Sequence, residues 1–196
     1  FILVAENEEL VLPTILSRCQ LVKVPALDNS DIEEALISRN KTEPAIARQV
    51  AGVSEGNYRE ALQLVQHAEE DWLVLLREWL NAILKGGPVA QTKWVEEVSR
   101  LGREKQKQFL RYFNHQLELA IHYRIRGEAL NIGEKEKDFA VRLNKFAGIE
   151  QQEAIIEELD RASYYIERNA HGKMLFHALT IKLYHIIQDK VVFLME

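Results

Sequence analysis

The sequence is poor in cysteine, proline and glycine, and it lacks long apolar runs. Its 196 residues include one cysteine, four prolines and nine glycines. A single cysteine forms no intramolecular disulfide, and there is no Cys-x-x-Cys pair that could hold zinc. No apolar run approaches the roughly 20 residues that a membrane-spanning helix needs. These absences argue against a disulfide-stabilised, zinc-binding or membrane-spanning protein, and they favour a reducing, cytoplasmic location.

The composition is typical of a globular protein with a small excess of acidic residues. Hydrophobic residues make up 47% of the chain, charged residues 28%, and the formal net charge at pH 7 is −5. Proteins that bind nucleic acids mainly by charge are basic, because the phosphates are negative. The acidic balance argues against such binding. It stays open whether the local basic stretch Arg103–Arg111 contacts DNA, since such a stretch is more often a solvated helix face.

Motifs that hold nucleotides or build a hydrolase site are absent from the sequence. There is no Gly-x-x-x-x-Gly-Lys-Ser/Thr phosphate loop, no Gly-x-Gly-x-x-Gly turn and no Gly-x-Ser-x-Gly elbow. Without such a loop, the backbone amides that cradle phosphates are missing. We therefore expect that the chain has no cofactor of its own, that it neither binds nor hydrolyses ATP, and that it is inactive as a free-standing enzyme.

One group of polar residues has spacing that a metal site could use. His115, Glu118 and His122 lie near one face of a predicted helix, and imidazole and carboxylate groups are common metal ligands. The same spacing arises wherever three polar residues share a half-exposed helix face. The Glu-x-x-His pattern of di-iron bundles is absent. We therefore expect no metal site.

Apolar residues recur at helical spacing along most of the chain. Before residue 70 the pattern predicts a short helix with Pro13 near its start, followed by three longer helices. The first of these three begins near Ser30, the second runs from Thr42 until Gly52 ends it, and the third runs from Tyr58 to about His67. Beyond residue 70 it predicts five or six further helices joined by short polar turns, which is typical of a helical bundle. The apolar positions of these later helices include Trp72, Trp79, Phe109, Phe113, Ile155, Leu159, Leu179 and Leu183.

Two short apolar runs near the start of the chain predict buried strands. They are Phe1–Ala5 and Leu21–Val24, the second ended by Pro25. The first residue is not methionine, and no positively charged segment of the kind that begins a signal peptide precedes the first run. We expect the chain to be a fragment of a longer protein that begins within a strand.

The only cysteine lies in the sequence TILSRCQ, residues 14–20. A cysteine nucleophile needs a base such as histidine, and the nearest histidine in sequence is His67. We therefore interpret Cys19 as a small buried side chain that packs with its neighbours. Arg18 falls between a helix end and a predicted strand, with small residues on both sides. This position predicts a guanidinium displayed at an edge of the molecule.

Two local motifs resemble those of the AAA+ clamp-loader subunits. The sequence FILVAENEELVLPTILSRCQLVKVP, residues 1–25, is similar to the end of their ATPase core. Phe1–Ala5 falls at their sensor-1 strand, and Ser17, Arg18 and Cys19 match their Ser-Arg-Cys motif. VSEGNYREAL, residues 53–62, is similar to their sensor-2 helix, whose arginine falls on Arg59. The resemblance covers about the first 65 residues, and beyond them only helix content and length agree.

The resemblance implies a mainly α-helical fold in three parts. Residues 1–26 would be the C-terminal edge of an AAA+ core with short strands and a helix. Residues 27–69 would form a three-helix lid, and residues 70–196 a helical-bundle collar that mediates oligomerisation. Partners would be the gamma/tau and delta subunits of the loader, contacted through the collar, with the sliding clamp and primed DNA engaged indirectly. The assembly would work within the DNA polymerase III holoenzyme.

The resemblance also implies roles for individual residues. Arg18 would reach ATP-Mg bound by a neighbouring subunit, as an arginine finger. Asn7 in the sensor-1 region and Arg59 at the sensor-2 position would lie near this subunit's own degenerate nucleotide site. Relatives that hydrolyse ATP usually carry Thr-Thr or Thr-Asn after the sensor-1 strand, whereas Glu6 and Asn7 stand here. A carboxylate at that point would repel a γ-phosphate. Two alternatives stay open: the gamma/tau ATPase of the same loader, and an unrelated helical scaffold.

Overall fold

The structure is a computed structural model that describes residues 1–5, 11–66, 72–127 and 132–189. Most of these residues are helical, which confirms the expected mainly α class. None of the helices within these ranges combines the length and the apolar character needed to cross a membrane. The expected start of the collar near residue 70 and the sensor-1 residue Asn7 lie outside the described residues.

The described residues form ten α-helices and one π-helical turn. The helices are α1 (Pro13–Leu16), α2 (Asn29–Asn40), α3 (Pro44–Val53), α4 (Tyr58–Gln66), α5 (Trp72–Asn81), α6 (Gly87–Ser99), α7 (Arg103–Arg126), α8 (Glu134–Phe146), α9 (Ile149–Glu167) and α10 (Gly172–Gln188). The π-helical turn, Ala82–Gly86, joins α5 to α6. The predicted bundle after residue 70 therefore corresponds to α5 through α10.

Neither predicted strand forms. Phe1–Ala5 and Leu21–Val24 adopt no regular structure, and their residues are exposed. A strand is stable only when its backbone N–H and C=O groups pair with those of a neighbouring strand. No strand occurs anywhere in the described ranges, so neither run has such a neighbour. The strand prediction is therefore wrong for both runs, because an apolar run becomes a strand only where a partner strand is present.

The helices α2, α3 and α4 pack on one another as a three-helix unit. Ile32 and Leu36 of α2 are fully buried, as are Ala47 of α3 and Ala61 of α4. Gly56 shapes the turn between α3 and α4 with φ +81°, and a Cβ there would lie only 2.6 Å from the Cβ of Ala26. Glycine is therefore required at this position for both backbone conformation and space.

The helix α7 is the centre of the bundle. Helices α8, α9 and α5 contact it, and α10 packs against α6 and α9. The rings of Trp79 and Trp94 stack with centroids 4.4 Å apart and planes 2° apart. Other aromatic rings surround this pair: Phe109, Phe113 and Phe176. One continuous set of buried apolar residues runs from this cluster into the three-helix unit.

The structure corrects the predicted end of α3. Glycine often follows the last turn of a helix, and Gly52 was expected to end α3 for that reason. Instead α3 continues to Val53, with Gly52 inside its last turn. A Cβ at Gly52 would lie 2.5 Å from Cε1 of His115 on α7. The glycine is therefore explained by close packing of α3 on α7, a contact between residues far apart in sequence.

Candidate functional site

The Ser-Arg-Cys motif follows the short helix α1. Pro13 begins that helix, at a position where a backbone N–H would have no partner within the helix. The carbonyl oxygen of Thr14 accepts a hydrogen bond from Oγ of Ser17 at 3.2 Å and another from Nη1 of Arg18 at 3.3 Å. Arg18 is exposed. Its guanidinium has five N–H donors, so it can hold this carbonyl and still face a charged group outside the chain.

The expectation for Cys19 is wrong. The side chain was predicted to be buried, but it is a free thiol on the surface. No residue from Val11 to Leu27 is buried, so the segment around Cys19 provides no core in which the thiol could pack. Its backbone N–H donates to the carbonyl oxygen of Leu16 at 3.3 Å, which closes the turn after α1.

The region that resembles a sensor-2 helix is the start of α4. Oδ1 of Asn57 accepts a hydrogen bond from the backbone N–H of Glu60 at 3.2 Å, which satisfies one of the free amides of the first turn. Arg59 in that turn is exposed. Arg59 therefore belongs to the three-helix unit, whereas Arg18 lies just beyond α1.

The basic stretch at the start of α7 is engaged by other parts of the chain. Arg103 bonds the side chain of Asn169, and Nζ of Lys107 lies 2.8 Å from Oε1 of Glu167. A hydrogen bond from Lys107 holds the pKa of the Glu167 carboxyl below its usual value, which agrees with a formed ion pair. Arg111 pairs with Glu60. These partners favour a structural role for the stretch over contact with DNA.

The three residues at metal-ligand spacing on α7 lie in different environments. His115 is partly buried against Gly52, whereas Glu118 and His122 are exposed. Across the described ranges, no group of three histidine, cysteine, aspartate or glutamate side chains could hold a metal ion.

His115 and Arg111 instead join the three-helix unit to the bundle. His115 packs on the backbone of α3 at Gly52, and Arg111 reaches Glu60 on α4. Burial lowers the pKa of His115 to about 4. Burial and the nearby carboxylate of Glu55 raise the pKa of Glu118, one turn further along α7. We call this contact the seam: Gly52, Glu60, Arg111 and His115.

We expect the seam to make stability depend on pH. His115 has a pKa of about 4 in the folded chain against 6.5 as its ordinary value. Between these values the unfolded chain binds a proton that the folded chain does not. The free energy of unfolding should therefore fall as pH decreases from 6.5 to 4, by at most about 3 kcal/mol. Urea unfolding across that range measures the loss.

The control for this prediction is His115→Gln, which removes the titrating ring and keeps a polar side chain. Glu118 opposes His115, because a raised carboxyl pKa favours the folded chain at low pH. The difference between the two chains therefore isolates the histidine. The same fall in stability in wild type and His115→Gln would contradict the assignment.

Sequence reasoning missed a buried charged residue in the bundle. Glu158 on α9 is 6% exposed. Its carboxylate accepts hydrogen bonds from Arg161 at 2.8 Å and from Lys182 on α10 at 2.7 Å. The spacing of Glu158 and Arg161 could have suggested a local pair. The link to Lys182 depends on the packing of two helices, and no local signal indicates it.

Comparison with family models, curated proteins and solved structures finds no match for the chain. The assignment of a site therefore depends on the residues and their geometry. The Ser-Arg-Cys motif presents the exposed guanidinium of Arg18 next to a small hydroxyl and a thiol at a helix end. Such a group binds phosphate or carboxylate oxygens through two parallel hydrogen bonds.

Proposed function

We propose that the chain is part of the delta-prime subunit of a bacterial clamp loader, and that Arg18 acts on ATP-Mg bound by a neighbouring subunit. The observation that carries the proposal is the Ser-Arg-Cys motif with its arginine exposed just beyond α1. Arginine suits this role because it is always charged and can bond two phosphate oxygens at once. During phosphoryl transfer it stabilises the charge that develops on the γ-phosphate.

The order of elements supports the proposal. The exposed motif precedes three packed helices, and a six-helix bundle follows them. That order agrees with the core edge, lid and collar expected from the resemblance. The motif similar to a sensor-2 helix spans the turn before α4 and most of α4 itself. Two motifs and a bundle in this order support a loader subunit over an unrelated helical scaffold.

The surface of α10 supports a role in oligomerisation. Met174 is 69% exposed and Ile181 is 53% exposed, and both lie on the outer side of α10 with Tyr184. Their spacing of seven and then three residues places them on one helix face. We assign this α10 face to contact with other loader subunits, since head-to-tail rings use such surfaces.

The gamma/tau subunit is the second candidate within the same loader. Glu6 distinguishes the two, because gamma/tau must hold a γ-phosphate and a nearby carboxylate would repel it. The same residue fits a subunit that binds no ATP but supplies an arginine to its neighbour. The sequence before Phe1 in the full-length protein separates the candidates. An intact phosphate loop there would favour gamma/tau, and a degraded one delta-prime.

Assembly tests the proposal directly. We expect the chain to co-elute in gel filtration with gamma/tau and delta subunits from the same source. Ile181→Glu should weaken the complex by about tenfold or more, because it places a charge in a desolvated contact. Ile125→Glu is the matched control, since Ile125 is 69% exposed on α7, away from the α10 face. Failure of the wild-type chain to associate would contradict the proposed function.

A further inference from the structure

The three-helix unit and the bundle meet where α3 packs on α7. Each part also buries apolar side chains of its own. Ile32 and Leu36 of α2 are fully buried, and so are Trp79 and Phe113 in the bundle. Parts of a protein that have their own buried residues can separate locally, at a lower free energy than global unfolding requires. The contact between the two parts is therefore the place to look for such a separation.

Packing across this contact is incomplete. A cavity of about 60 Å³ lies there, partly open to solvent. Its walls include Val50 of α3, Leu64 of α4, Trp72 of α5 and Gln108 of α7. Oε1 of Gln108 is buried and, within the described ranges, has no hydrogen-bond partner. Unfilled space forfeits dispersion contacts, and an unpaired buried acceptor costs free energy. Separation of the two parts would remove both costs, because water would then reach the cavity walls.

Polar contacts at the seam hold the two parts together. Arg111 of α7 pairs with Glu60 of α4. His115 packs on α3 so closely that a Cβ at Gly52 would lie 2.5 Å from Cε1 of the ring. Burial lowers the pKa of His115 to about 4, so the ring is neutral at pH 7. The contact with Gly52 therefore depends on an uncharged imidazole.

Charged groups face this part of α7 from the three-helix unit and from α9. Together with those of α7 itself they are Glu55, Glu60, Asp160, Glu167, Arg111, Glu118 and His122. Glu60 pairs with Arg111, and Glu55 acts on Glu118. Burial, and not one of these charges, shifts the pKa of His115. Within the described part of the chain, a proton on that ring would therefore be buried without the pairing that a carboxylate provides, which is unfavourable.

We propose that the seam opens when His115 takes up a proton, so that the three-helix unit separates from the bundle while both parts stay folded. In the open state the ring is in water, where its pKa has the ordinary value of 6.5. The equilibrium constant for opening should therefore rise as pH falls from 6.5 to 4, by up to about 300-fold. Glu118 acts in the opposite direction, because its raised pKa favours the closed seam in acid. The inference is independent of the proposed loader function, since it concerns neither Arg18 nor the α10 face.

The three tryptophans of the chain distinguish opening of the seam from unfolding. Trp72 lines the cavity, whereas Trp79 and Trp94 stack inside the bundle. Urea titration of the fluorotryptophan-labelled chain, followed by fluorine NMR, reports each ring separately. At pH 4 the Trp72 signal should change at a lower urea concentration than the signals of Trp79 and Trp94. This separation should be smaller at pH 7. Coincident changes of all three signals at pH 4 would overturn the proposal.

Two variants test the role of the His115 ring. His115→Gln keeps a polar side chain that does not titrate, so the separation between Trp72 and the other two signals should no longer depend on pH. Gly52→Ala favours the helix α3, but its Cβ would collide with the ring. It should therefore separate the Trp72 transition already at pH 7, with Trp79 and Trp94 showing that the bundle is folded. The proposal fails if the wild-type pH dependence persists in His115→Gln, or if Gly52→Ala leaves the Trp72 transition unchanged.

Discussion

Under the proposed function, Arg18→Ala is expected to slow ATP hydrolysis at the neighbouring subunit's site by about a thousandfold or more. The guanidinium would stabilise negative charge that develops in the transition state, and alanine offers no substitute. Arg18 is exposed, and the side-chain hydrogen bond described for it within the chain goes to the carbonyl oxygen of Thr14, on its own turn. Its removal should therefore leave folding and assembly intact. Single-turnover hydrolysis in the assembled loader measures the rate, and gel filtration measures assembly.

Cys19→Ala is the matched control for that experiment. The thiol is exposed, so its removal should change neither stability nor hydrolysis by a measurable amount. Arg18→Lys adds a finer test, because lysine keeps the charge but cannot form the two parallel hydrogen bonds of a guanidinium. It should recover only part of the rate. Loss of hydrolysis in Cys19→Ala but not in Arg18→Ala would show that the roles within this motif are reversed.

The effect of Arg18→Ala on the rate should be smaller in steady-state measurements than in single-turnover measurements. A loader has several ATP sites, and under the proposed function the Arg18 substitution would affect only the site that faces this subunit. The other sites would continue to hydrolyse ATP. A measurement that averages over all sites would therefore understate the effect, which is why single-turnover kinetics are the decisive measurement.

Helix positions were predictable because they depend on local periodicity. The predicted third helix began at Tyr58 and ended near residue 67, and α4 spans Tyr58–Gln66. The strands at Phe1–Ala5 and Leu21–Val24 were not predictable in the same way, since a strand exists only with a partner. Gly52 shows the same limit. Its residue type suggested a helix end, but contact with His115 from α7 explains it.

The candidate site shows the same difference between local motifs and contacts that form between distant residues. Arg18 and Arg59 were chosen as candidate site residues because their motifs are continuous in sequence. The seam was missed, because Glu60 and Arg111 are 51 residues apart in sequence and meet only in the folded chain. Cys19 was misplaced because an apolar, unpaired thiol is usually buried, and that average does not apply to an exposed segment.

Trp79→Ala is expected to destabilise the chain by about 3–5 kcal/mol, a large part of the free energy of unfolding of an ordinary domain. Trp79 is fully buried and stacks on Trp94. Its Nε1 also donates to Oγ1 of Thr180 at 3.0 Å, across the bundle from α5 to α10. Alanine would leave a cavity among the aromatic rings and remove that bond. The midpoint of urea unfolding measures the loss.

Two variants separate the contributions of Trp79. Trp79→Phe keeps a ring in the cluster but has no N–H for Thr180, so it should cost less than Trp79→Ala. Tyr165→Ala removes an aromatic ring that is 46% exposed on α9 and should change stability by about 0.5 kcal/mol or less. If Trp79→Ala were no more destabilising than Tyr165→Ala, the stacked pair would not be the centre of the core. A continuous core would then have to depend on the aliphatic contacts of α7 with α8 and α9 instead.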